Sequence, residues 1–128
     1  MVNTKKPVAL VIDDESDFCA SFATVLSRHF EVVPCDFSWE ILNEIGPEQV
    51  DVIISDFYMP NTSGFELIEA IKKKWPKAPL VVMTGGMWDS QEEKNVLEAG
   101  AELVAYKPFG DIAALVSCLQ ELAHGQMC

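Results

Sequence analysis

The chain has 128 residues, 49% of them apolar and 23% charged, which suits one globular domain (residues 1–128) with a core that needs no disulfide or metal staple. A formal net charge of −11 and a pI near 4.4 argue against direct binding to nucleic acid or to an anionic membrane, since both call for basic surface. No apolar stretch approaches the roughly 20 residues that span a bilayer, and the first apolar run is short and ends in two aspartates, unlike a signal peptide, so a cytoplasmic location is expected.

Pro7 to Ile12 reads as a first strand that runs into Asp13-Asp14. After it, Phe18, Phe22, Val25 and Leu26 fall at helical spacing and predict a helix with one apolar face. Phe30 to Val33 is a short second strand, and Trp39 to Ile45 a weaker helix stopped by Gly46-Pro47. The third strand, Val50 to Asp56, is an apolar run that ends in a carboxylate. In the loop behind it Pro60 stiffens the chain and Gly64 serves a turn or helix start. Leu67, Ile68, Ile71 and Trp75 share one face of a third helix, which Pro76 and Pro79 terminate. Its last turn holds Lys72-Lys73-Lys74, a basic cluster that suits the negative end of a helix dipole. Leu80 to Met83 is a fourth strand leading to Thr84-Gly85, and Ser90 to Ala99 a helix capped by Gly100. A fifth strand, Leu103 to Tyr106, ends in Lys107-Pro108, and Ile112, Leu115, Val116, Leu119 and Leu122 mark the last helix. The four cysteines, Cys19, Cys35, Cys118 and Cys128, lack Cys-x-x-Cys or zinc-ligand spacing and are expected as thiols, with Cys19 and Cys118 at core-like helical positions.

Strand followed by helix, repeated five times, implies right-handed crossovers and a parallel sheet with helices on both faces, a doubly wound α/β fold. Open sheets of this kind bind ligands in the crevice beyond the carboxyl ends of the strands. Asp13, Asp14, Asp56, Thr84 and Lys107 all stand at such ends. Three carboxylates, a hydroxyl and an ammonium there suggest a site for a metal and a phosphoryl group. Each also has a plainer reading on its own: an acidic helix start for Asp13-Asp14, an Asx turn for Asp56, a turn for Thr84 and a strand-end charge for Lys107.

Taken together, Asp13-Asp14 after strand one, Asp56 with Met59-Pro60 and Gly64 behind it, Thr84-Gly85 after strand four and Lys107-Pro108-Phe109 after strand five resemble the receiver domain of two-component response regulators. The resemblance covers essentially the whole chain. It implies a flavodoxin-like five-stranded sheet in the order 2-1-3-4-5. It also implies that Asp56 accepts a phosphoryl group from a sensor histidine kinase or a histidine phosphotransfer protein. On the same footing Asp14, Asp13 through water, Asp56 and the backbone carbonyl of Tyr58 hold Mg²⁺, while Lys107 and the Thr84 hydroxyl contact the phosphoryl oxygens. Gly85 leaves room for backbone approach, and the Lys107–Pro108 peptide is cis. Such a domain is not an enzyme beyond its own phosphorylation and dephosphorylation, and it reports to a downstream protein or output domain through the face of the last two helices and the fifth strand. Cognate kinase and oligomeric state do not follow.

The chain departs from the family where an aromatic residue usually stands three positions before the lysine, since Val104 is found there. Tyr106 points to the opposite side of the strand from Lys107, and Val104 shares its side. Switching is therefore expected to rely on Thr84 and the loop Gly85-Gly86-Met87-Trp88. Tyr58 and Gly86, each two residues beyond a site residue, flank the expected phosphoryl group and tune water access to it. Three other readings compete. An aspartyl-phosphate phosphatase would want an acid where Tyr58 stands, a flavin-binding module would want a phosphate-cradling loop, and a pseudo-receiver would bind partners without phosphate.

Overall fold

Alternation of side chains along five short apolar strands decides where the helices pack. The computed structural model describes residues 6–35, 43–59 and 62–126. Strands β1 (Val8–Ile12), β2 (Glu31–Cys35), β3 (Val52–Asp56), β4 (Leu80–Thr84) and β5 (Leu103–Tyr106) form one parallel sheet in the order β2-β1-β3-β4-β5. Helices α1 (Ser16–Leu26), α2 (Gly64–Lys74), α3 (Ser90–Ala99) and α4 (Ile112–Ala123) cover it. Leu10, Ile12, Ile53, Leu80, Val82 and Val104 face one way and pack on Leu67, Ile68, Ile71 and Trp75 of α2 and its following turn and on Val96 of α3. Ala9, Val11, Val52, Ile54, Val81, Met83 and Ala105 face the other way, onto Cys19, Phe22 and Leu26 of α1 and Leu115, Val116, Cys118, Leu119 and Leu122 of α4. This is the doubly wound α/β architecture expected from the strand and helix pattern, in the flavodoxin-like strand order that the resemblance implies.

Two of the helix starts carry a side-chain cap. Asp89 accepts a hydrogen bond from the Glu92 N–H at 2.8 Å and Asp111 one from Ala114 at 3.0 Å, capping α3 and α4. At the other end of α3, Gly100 takes a positive φ of 129°, a conformation strained for any residue with a Cβ. In α2, Leu67, Ile68, Ile71 and the flanking Trp75 are all buried, as their spacing predicts.

Several expectations need correction. Val25 is 38% exposed: the buried stripe of α1 runs through Cys19, Phe22 and Leu26, at steps of three and four residues centred slightly around the helix from the predicted one. Ile112 is in phase with the buried Leu115, Val116 and Leu119 but is the first residue of α4, and there it is 39% exposed. Strand β2 begins at Glu31 and continues through Pro34. A proline is tolerated there because β2 pairs only with β1 and is an edge strand. Cys118 is disulfide-bonded, against the expectation of thiols, a pairing that cysteine spacing alone does not reveal. Of the expected Trp39–Ile45 helix, residues 39–42 lie outside the described residues, as does Pro60, while Asn43 and Glu44 are helical. Among the described residues, no helix is long and apolar enough to cross a membrane.

Candidate functional site

Register brings the strand-end residues into one row. Ile12 pairs with Ser55, so Asp13 and Asp56 follow side by side; Asp56 pairs with Met83, and Thr84 with Tyr106, so Thr84 and Lys107 complete the carboxyl edge. Side-chain parity then places Asp13, Asp56 and Lys107 together, continuing the face that packs on α1 and α4. The Lys107 ammonium lies 3.0 Å from Asp13 Oδ2 and 3.5 Å from Asp56 Oδ2, with its side chain only 15% exposed. It also sits 4.1 Å from the ring centroid of Phe18 on α1, a cation–π contact that fixes it from the other side.

Asp13 is buried and engaged twice, by Lys107 and by the Glu15 N–H at 2.8 Å. The helix-start reading of Asp13 is therefore satisfied by the same side chain that meets the lysine. Asp14 is exposed, yet its carboxylate and those of Asp13 and Asp56 offer oxygens all within 4.8 Å of one another. Burial pushes the Asp56 carboxyl above the usual carboxylate range; Lys107 pulls it back, Asp13 pushes it up again, and the Tyr58 N–H, bonded to it, lowers it. Three negative charges against the single positive charge of Lys107 leave an excess of two, the charge of one divalent cation.

Thr84 is fully buried, and its hydroxyl oxygen accepts the Gly86 N–H at 3.0 Å, which leaves the O–H free to donate. A Cβ on Gly85 would meet nothing within 4 Å, whereas one on Gly86 would lie 3.2 Å from Trp88 Nε1 and 3.3 Å from Thr84 Oγ1. A side chain at 86 would press on Trp88 and Thr84 and need them to give by a few tenths of an ångström, whereas the space beside Gly85 is open. Gly64 opens α2 directly under the Phe57 ring, where an added Cβ would fall 2.4 Å from ring carbons.

The family model of the response regulator receiver domain matches residues 9–120. The two-component response regulator ORR11 of Oryza sativa subsp. indica is 34% identical over 117 residues, covering 87% of this chain and 79% of its own. The chain belongs to the response regulator receiver domain family. Among solved structures, a response regulator receiver domain protein from Clostridium thermocellum matches with a TM-score of 0.80 and 27% identity, covering 93% of this chain and 95% of its own. A response regulator from Burkholderia pseudomallei, solved with a phosphorylated aspartic acid, calcium ion and citrate, matches with a TM-score of 0.76 and 27% identity over 94% of this chain and 70% of its own.

In this receiver domain Asp13, Asp14, Asp56 and Lys107 come together as the resemblance implies, and Thr84 stands in the neighbouring strand at the same edge. The Lys107–Pro108 peptide is cis. Tyr58 touches the site through its backbone N–H to Asp56, while its side chain is 57% exposed and its hydroxyl accepts the Trp88 indole N–H at 2.9 Å. Sequence reasoning gave no role to Phe18 or to this tyrosine–tryptophan bond. Phe18, on the α1 turn just after Asp13-Asp14, was legible as a helix residue near the site, but its contact with a lysine far along the chain was not.

Proposed function

We propose that Asp56 accepts a phosphoryl group from the phosphohistidine of a sensor histidine kinase or histidine phosphotransfer protein. The observation that carries this reading is a buried carboxylate with an ammonium 3.5 Å away and two further carboxylates within 4.8 Å, at the carboxyl edge of a doubly wound sheet. In the transfer, an Asp56 oxygen bonds to phosphorus as the donor's nitrogen–phosphorus bond breaks, and the bond's electron pair leaves with the imidazole. Lys107, already against Asp56, pairs with the phosphoryl oxygens, and the Thr84 O–H donates to one of them. The all-oxygen donor set and its excess of two negative charges fit a hard dication such as Mg²⁺, held by Asp13, Asp14, Asp56 and the Tyr58 carbonyl. When bound, that ion supplies charge compensation for the carboxylates and for the incoming phosphoryl oxygens. Asp56 returns to the free acid when water adds to phosphorus and the acyl oxygen–phosphorus bond breaks.

The Burkholderia relative with its phosphorylated aspartic acid supports the same chemistry here. The acidic composition supports a cytoplasmic module whose downstream contact is a protein or output domain. A phosphatase reading lacks its general acid, since the residue two beyond Asp56 is Tyr58, a phenol bonded to Trp88. The test is to incubate the protein with acetyl phosphate and Mg²⁺ and weigh it intact. One added phosphoryl group is expected in the wild type, none in Asp56→Asn and none in EDTA. Equal labelling of Asp56→Asn removes Asp56 as acceptor, and a wild type that takes no label leaves a phosphate-independent interaction module.

A further inference from the structure

Trp88 is not among the residues that meet a phosphoryl group, yet it bridges the two loops that do. Its indole N–H donates to the Tyr58 hydroxyl at 2.9 Å, and its ring packs edge-on against Phe57 at 4.9 Å, Tyr58 at 6.3 Å and Tyr106 at 6.4 Å. Phe57 and Tyr58 directly follow Asp56, and the Tyr58 N–H is bonded to the Asp56 carboxylate. On the other side, Trp88 Nε1 would lie 3.2 Å from a Cβ on Gly86, and the Gly86 N–H is bonded to Thr84 Oγ1. A side chain at residue 86 would therefore crowd the indole where it reaches Tyr58. The loop that follows Asp56 at the end of β3 and the loop that follows Thr84 at the end of β4 are joined through one hydrogen bond and a set of ring contacts.

We infer that Trp88 is a positioning residue for the phosphoryl site: its hydrogen bond to Tyr58 clasps the two loops and prolongs the life of the phosphoryl group on Asp56. The proposal rests on Asp56 being the acceptor. Tyr58 is largely exposed, so without the clasp its ring and the loop that holds its N–H against Asp56 swing toward solvent. Water then gains access to phosphorus more often. The acyl oxygen–phosphorus bond breaks sooner, releasing inorganic phosphate and the free carboxylate.

Trp88→Phe and Tyr58→Phe each delete the hydrogen bond and keep a ring. After labelling with acetyl phosphate and Mg²⁺ and removal of donor, intact mass follows loss of the phosphoryl group with time. Each variant is expected to lose it roughly threefold to tenfold faster than the wild type, the factor that one net hydrogen bond represents. The double variant is expected to be no faster than the faster single, because both remove the same bond. Lifetimes unchanged in both single variants, or effects that multiply in the double, overturn the clasp while leaving Asp56 as acceptor. A purely structural loss at either position gives multiplying effects, so the cycle separates the two. A wild type that takes no label removes the phosphoryl reading itself. As a second measurement, the Trp88 indole N–H resonance of the unphosphorylated protein is expected to move upfield and exchange faster in Tyr58→Phe, and an unmoved resonance also counts against the clasp.

Discussion

Replacing Asp56 by asparagine tests whether the site carries an uncompensated negative charge. At an effective dielectric of about 20, the 3.5 Å approach of Lys107 is worth about 5 kcal/mol of attraction to Asp56, and a carboxylate no more than 4.8 Å away repels it by about 3.5 kcal/mol or more. Asp13 is buried and exerts that repulsion in full, whereas Asp14 is exposed and adds about 1 kcal/mol at the dielectric of water. The charge–charge contributions thus nearly cancel, and burial of the carboxylate decides the sign. Asp56→Asn should therefore be more stable than the wild type by about 1–2 kcal/mol at pH 7 in EDTA, the usual scale for relieving a poorly compensated buried polar group. The pH dependence has a fixed direction. The folded-state carboxyl titrates above its unfolded value, so the folded state binds more protons in the window between the two, and wild-type stability falls as pH rises through it. The gap between wild type and variant is full above the raised value and closes as pH drops to the ordinary carboxylate range. Urea unfolding followed by far-ultraviolet circular dichroism at several pH values measures it, with and without Mg²⁺, which should narrow the gap. A variant equally or less stable than wild type in EDTA at pH 7, or a gap indifferent to pH, would refute the reasoning.

Lys107→Met leaves Asp13 and Asp56 facing each other without their cation and should cost about 2–3 kcal/mol at pH 7 in EDTA, less in acid, by the same unfolding assay. Gly64→Ala drives a Cβ into the Phe57 ring and should cost about 1–3 kcal/mol; Phe57→Leu in the same chain should restore part of the loss, read as the shift in thermal midpoint. Asp111→Ala removes the cap of α4 and should cost about 0.5–2 kcal/mol in urea, with the slope of the transition unchanged. Binding of beryllofluoride should change the emission of Trp88, isolated as the difference between wild type and Trp88→Phe because two other tryptophans are present. An unaltered difference spectrum together with unmoved resonances for residues 85–88 would count against movement of that loop.

How much of this was legible in the sequence depends on whether periodicity or loop geometry carried the information. Asp56, Thr84 and Lys107 could be placed at one edge because buried strands are short apolar runs, and a polar residue that ends one has to emerge where the strand does. Alternation alone put Tyr106 opposite Lys107, and the structure has Tyr106 donating to Glu93 of α3 while Lys107 lies over Phe18 of α1. Helical phase and helix ends were less secure: Val25 sits at the margin of its stripe, where a modest rotation exchanges core for solvent, and Ile112 is in phase but stands at the first position of its helix. The ion pair of Lys107 with Asp13, 94 residues apart, was not legible: the family resemblance placed Lys107 at the phosphoryl oxygens, and no spacing puts it on Asp13. Trp88 and Tyr58 lie in loops, which have no period from which to infer where a side chain points, so their bond appears only in the folded chain.

Val104 sharpens what that bond means. It is buried against Val82, Val96 and the α2 side of the core, so position 104 itself offers no ring that can turn beside the site. The aromatic bulk on that side is supplied instead from the loop, where Trp88 touches Tyr106, the residue paired with Thr84 across the β4–β5 ladder. Contacts run from the Thr84 hydroxyl to the Gly86 N–H and, two residues on, from the Trp88 indole to Tyr106, whose hydroxyl donates to Glu93 at 2.9 Å. Contiguity alone does not make a signal; a signal requires an element with two arrangements that the site biases. Trp88 is held in this structure by the hydrogen bond to Tyr58 and by ring contacts with Phe57, Tyr58 and Tyr106, and the beryllofluoride experiment reports whether it takes a second arrangement.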